Sequence, residues 1–116
     1  MKRITLALGV ALAALVAAAP IAARPSAATA TTVTVKMTEF KFVLSKKTVP
    51  HGKVTFVLVN KGAVKHDFAI AGKKSKLIAP GKKGSLTVTL RAGKLAYKCT
   101  VAGHAAAGMK GKLTVT

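Results

Sequence analysis

A cysteine, a histidine and a methionine stand five residues apart near the C-terminal end, as Cys99, His104 and Met109 in "AYKCTVAGHAAAGMKGKLTVT". Thiolate, imidazole and thioether are soft donors, a set that suits copper in both oxidation states rather than magnesium or calcium. Three donors on one loop leave the set one short, and His66, which opens "HDFAI" after the turn-like "NKGAV", supplies a fourth. Two imidazoles and a thiolate in a plane, with a weak thioether on the axis, form the donor set of a copper electron-transfer site. Each residue also has a plainer reading. A histidine at a strand start is more often a surface or satisfied one, and single buried methionines and cysteines are common in apolar interiors. Cys99 is the only cysteine, so in an exported protein it is buried and inert, joined to another chain, or bound to a metal.

Strands must position these donors. From Thr31 onward the pattern has period two: Val33, Val35 and Met37 share one side, Val54, Phe56 and Leu58 another, and Leu86, Val88 and Leu90 alternate with polar residues. Further strand candidates are "EFKFVL", "KHDFAIA", "KLAYKC" and "GKLTVT", separated by turn signals at Pro50-His51-Gly52, Asn60-Lys61-Gly62, Pro80-Gly81 and Ala92-Gly93. No segment after residue 30 has a sustained helical period. Seven to eight short antiparallel strands predict an all-β fold, a two-sheet Greek-key β-sandwich. Alternation puts Leu95, Tyr97 and Cys99 on one face, towards the core. The chain then leaves the sheet and re-enters at "MKGKLTVT", so a loop pinned at both ends can bring Cys99, His104 and Met109 to one point. His51 reads as an exposed turn residue and Met37 as core; neither is expected to bind a metal.

Residues 1–30 have the layout of a secretory signal peptide: Lys2 and Arg3, an uncharged run from Ile4 to Ala19, then Pro20. Ala28 and Ala30 place the cut after Ala30, with Ala23 and Ala28 as alternative sites, which leaves a single domain over 31–116. The alternative is an uncleaved anchor, for which the apolar run is short. Either way the domain is expected outside the cytoplasm: periplasmic, extracellular, or held at the membrane if the leader stays.

The whole chain carries a formal charge of +18; loss of Lys2, Arg3 and Arg24 leaves 17 basic residues against Glu39 and Asp67, a net +15. Nucleic acid is discounted, because the lysines are dispersed and the aromatics too few for a base-stacking platform. Such charge steers a protein towards acidic partners at rates that fall with ionic strength. With so few carboxylates to protonate, the fold is expected to tolerate acid.

The sequence resembles the cupredoxins, the small blue (type 1) copper proteins of the plastocyanin, auracyanin and rusticyanin kind. The likeness runs from about Val33 to Thr116, and its most specific part is Cys99-x4-His104-x4-Met109 followed by "KGKLTV", with His66 about thirty residues earlier. The long Cys-to-His gap matches the auracyanin and rusticyanin type. The resemblance implies a copper-binding one-electron carrier rather than an enzyme, with one copper held by His66, Cys99, His104 and Met109. His104 would reach the surface among Gly103, Ala105, Ala106, Ala107 and Gly108, joined by Ala63 and Val64. Acidic redox proteins, such as a cytochrome, an oxidase or a copper enzyme, would dock there on a monomer, with an anionic membrane surface as a competing destination. One departure is Asp67, where plastocyanins and azurins usually carry the asparagine that helps hold the two ligand loops together. Copper oxidases and nitrite reductases need more histidines than this chain has. A copper carrier or storage protein on the same fold is the alternative, although such carriers are richer in exposed Met or His.

Overall fold

A computed structural model describes residues 30–116; the expected signal peptide and its cleavage site lie outside the described residues, apart from Ala30. The described chain forms nine strands: β1 (Thr31–Thr38), β2 (Lys41–Leu44), β3 (Thr48–Val49), β4 (Gly52–Asn60), β5 (Ala69–Ile70), β6 (Lys73–Lys74), β7 (Lys83–Leu90), β8 (Gly93–Lys98) and β9 (Lys110–Val115). They make two sheets, ordered β2-β1-β4-β7 and β3-β9-β8-β5-β6.

The alternation read from the sequence is what seals the space between the sheets. Val33, Val35 and Met37 of β1, Val54, Phe56 and Leu58 of β4, and Val88 and Leu90 of β7 are all buried. They face Ile70, Leu113 and Val115 of the second sheet, with Phe68 between. Phe56 and Phe68 rings meet at 4.8 Å between centroids, and Phe42 stands edge-on to Phe68 at 5.3 Å. A period-two pattern with one buried face admits one register only, because a slip of one residue would turn every apolar side chain to water.

Two pairings depart from the antiparallel expectation: β1 with β4 and β3 with β9 are parallel. Alternation reports which face is buried and carries no information on strand direction. Here the chain leaves the first sheet after β2, adds β3 to the second sheet, and returns as β4 on the far side of β1 and in the same direction. The segment "KHDFAIA" also departs from expectation. It is a single bridge from His66 to Ile78 and the two-residue β5, not a continuous strand. Its middle is tied otherwise: the Phe68 N–H donates to Ser75 Oγ at 3.0 Å, and the Ser75 N–H donates to the Phe68 carbonyl at 2.9 Å.

The exposed turn residue His51 places its Nδ1 2.9 Å from the Thr116 carbonyl oxygen, which ties down the chain end. Met37 is fully buried in the core.

Candidate metal centre

Three loops meet at one end of the sandwich. The first follows β4 and ends at His66, and buried Asn60 shapes it: Nδ2 donates to the Val64 and Ile78 carbonyls, each at 2.8 Å, and Oδ1 accepts from the Gly62 N–H at 2.9 Å. The second runs from Cys99 to Met109 between β8 and β9. The Cys99 N–H donates to the Met109 carbonyl at 3.1 Å, and the Met109 N–H donates to the His104 carbonyl at 3.1 Å, so backbone bonds close this loop at its neck. The third is the turn between β1 and β2, which carries Glu39 and Phe40.

The donor atoms converge. His66 Nδ1 lies 3.2 Å from His104 Nδ1, and Cys99 Sγ lies 3.6 Å from His104 Nδ1; one ligand atom from each of the three falls within 4.8 Å of the others. His66 and Cys99 are buried, while His104 is half-buried. Met109 is fully buried at the neck of the same loop. The arrangement therefore brings His66, Cys99 and His104 together and ties the Met109 backbone to Cys99 and His104.

The chemistry of this donor set fits a soft cation. Two imidazole nitrogens and a sulfur turned towards one another present lone pairs that repel unless a proton or a metal ion lies among them. Burial keeps the Cys99 thiol above its ordinary pKa, so without a cation the sulfur stays protonated; a bound metal would displace that proton, since the thiolate is the ligand.

Asp67, the departure from the family's asparagine, bridges the two ligand loops. Its Oδ1 accepts from the Thr100 N–H at 2.6 Å and its Oδ2 accepts from the Thr100 hydroxyl. The residue after His66 is thus joined to the residue after Cys99.

Two contributors were absent from the sequence reading. Glu39 Oε1 accepts from the Ala63 N–H at 2.7 Å and the Val64 N–H at 2.9 Å, and lies 3.4 Å from His66 Nε2. The signal for it was scarcity: Glu39 is one of two acids among 17 basic residues after residue 30. Phe40 stands edge-on to His104 with ring centroids 5.0 Å apart. It is 41% exposed and Val64 43%, and Ala63, Ala106 and Ala107 are exposed as well.

The acid tolerance expected from a low carboxylate count meets a limit here. Burial holds the His66 imidazole below its ordinary 6.5. An unfolded chain therefore binds a proton that the fold refuses, and the stability present above pH 6.5 is lost as pH falls towards the folded-state value. The Ala63 N–H, above all, holds the Glu39 carboxyl below 4.5, so its contribution is present above that pH and disappears as pH falls through the folded-state value. Thermal melts of the metal-free protein should stay level from about pH 8 to 7, then decline on acidification in these two stages.

The sequence profile of the cupredoxin-like domain matches residues 7–115. No curated protein matches the chain. Among solved structures, auracyanin B is similar at 25% identity, covering 75% of this chain and 89% of its own, with a TM-score of 0.67. Auracyanin A, a "blue" copper protein from the green thermophilic photosynthetic bacterium Chloroflexus aurantiacus, is 26% identical over 73% of this chain and 99% of its own, with a TM-score of 0.61. Dithionite-reduced auracyanin from the photosynthetic bacterium Roseiflexus castenholzii shares the fold at a TM-score of 0.66 and 24% identity, covering 75% and 98% of the two chains.

Proposed function

As the chain belongs to the cupredoxin-like domain family, we propose that it is a type 1 copper protein that carries single electrons between redox partners outside the cytoplasm. The observation that carries the reading is the convergence of His66, Cys99 and His104 within 4.8 Å, in a fold shared with a protein described as blue copper. His66 Nδ1, Cys99 Sγ and His104 Nδ1 would hold the copper in this reading, with Met109 as the fourth, weaker donor. Bound there, copper would supply a one-electron Cu(II)/Cu(I) couple whose potential would depend on the thioether donor and on the surroundings of the sulfur.

The chain's own residues serve that couple by not moving. The neck bonds between Cys99, His104 and Met109 and the Asp67–Thr100 bridge hold the donors in one geometry, so little reorganisation accompanies electron gain or loss. His66 is sealed from solvent, whereas half-buried His104 lies against exposed Phe40, in a patch made by the small residues of its own loop. That patch lets a partner's cofactor approach through the imidazole. Around it, the excess of lysine favours an acidic partner, a cytochrome, oxidase or copper enzyme. The charged n-region and apolar run of the first residues support export. The donor count supports a carrier over an enzyme, since only three histidines are present in the chain.

Copper loading of the purified domain tests the proposal. The expected result is an intense absorption at roughly 600 nm, where thiolate-to-Cu(II) transitions fall, with a reversible one-electron wave in voltammetry. Electron exchange with an acidic cytochrome should slow as salt is added. A colourless product would overturn the copper reading, and a blue protein without a reversible wave would favour storage. Met109→Gln should lower the potential, because an oxygen donor stabilises Cu(II) more than a thioether does; an unchanged potential would remove Met109 from the proposed donor set.

A further inference from the structure

We propose that Glu39 is a positioning residue for His66: its carboxylate selects which imidazole nitrogen faces Cys99 and His104, and places a fixed negative charge behind that ring. The inference rests on the copper reading for its redox consequence, though not for the orientation itself.

His66 Nε2 is buried and meets no hydrogen-bonding atom at normal distance. An unpaired buried N–H of this kind is costly, so its surroundings need an explanation. The polar group it faces is Glu39 Oε1 at 3.4 Å, longer than an ordinary hydrogen bond yet close enough for a directed charge interaction. That oxygen is itself anchored by the Ala63 and Val64 N–H groups. A carboxylate accepts and does not donate, so the proton of the neutral ring is drawn to Nε2. Nδ1 is then left with its lone pair, 3.2 Å from His104 Nδ1. Carboxylate–imidazole–metal chains fix ring orientation and raise ligand basicity. A more basic, negatively backed imidazole stabilises Cu(II) more than Cu(I), so Glu39 lowers the potential.

The plainer role is a latch for the 62–65 loop; one substitution separates the two roles and a second moves the carboxylate. Glu39→Gln keeps an oxygen acceptor for both N–H groups and removes only the charge. Gly62→Ala leaves the charge but displaces it, because a Cβ there would sit 2.5 Å from Glu39 Oε1.

Loaded with copper, Glu39→Gln should lose on the order of 10–100-fold in Cu(II) affinity and less in Cu(I) affinity. Each tenfold difference between the two losses raises the potential by about 59 mV. Gly62→Ala should shift the potential in the same direction. Nitrogen-15 NMR of the metal-free protein should show His66 as one tautomer, protonated at Nε2, and a mixture in Gly62→Ala. Potentials equal to wild type in both variants, in a protein that does turn blue, would overturn the electrostatic role and leave a latch. A wild-type His66 without a preferred Nε2 proton would overturn the positioning role. Should the wild type bind no copper, the copper reading fails separately, and the NMR result alone decides the orientation.

Discussion

Cys99→Ser should give a folded protein that takes up copper weakly and stays colourless, with the band at roughly 600 nm gone entirely. The hydroxyl replaces a sulfur of similar shape at a site 1% exposed, and the backbone bond from residue 99 to the Met109 carbonyl does not involve the side chain. Burial of a hydroxyl costs little when a partner is near, and His104 Nδ1 is the neighbouring polar atom; a loss of about 1 kcal/mol in the metal-free form is expected. Serine, however, offers no thiolate, so the covalent charge transfer that colours the site has no origin. Absorbance after copper loading and a thermal melt of the metal-free variant check the two halves. A retained blue band would place the chromophore elsewhere, and a large loss of stability would make Cys99 a core residue first.

The second large effect is structural. Phe68→Ala should destabilise the domain by about 3–5 kcal/mol, against a total of about 5–15 kcal/mol for a domain of ordinary stability. Phe68 is fully buried and joins the two sheets through Phe42, Phe56 and Tyr97, at centroid distances of 5.3, 4.8 and 5.5 Å. It also lies two residues after His66, so the cavity would open beside the metal centre. Copper that binds only the folded form should restore part of the loss, about 4 kcal/mol at a free concentration a thousand times Kd. Denaturant midpoints with and without copper measure both quantities. A metal-free loss below about 1 kcal/mol would mean that the core closes over the gap without Phe68.

How much of this was legible in the chain differs from residue to residue. The buried faces of β1, β4 and β7 were readable because side chains alternate across a strand whatever its neighbours are. The meeting of Cys99 and His104 was readable for a related reason: their spacing lies within one loop whose ends are strands. The donor types carry their own chemistry, since softness belongs to the atom and not to the fold. Asp67 was flagged as a departure from the usual asparagine, and only the structure shows that it still bridges to Thr100.

Strand direction was not readable, because parallel and antiparallel neighbours bury the same alternating residues. Nor was the break at Asp67 and Phe68, where side-chain and cross-loop bonds replace the ladder. Glu39 and Phe40 read only as the start of a strand, "EFKFVL". Their contacts with Ala63, His66 and His104 span 24 to 64 positions of sequence, and no local pattern encodes a meeting that depends on how the sheets stack.

Residue types and short spacings therefore established a copper-suited donor set on a β-sandwich, since both follow from properties carried within a few residues. The orientation of His66, the company of His104 and the crossing of the strands came from packing, because each depends on segments that become neighbours only when the two sheets close.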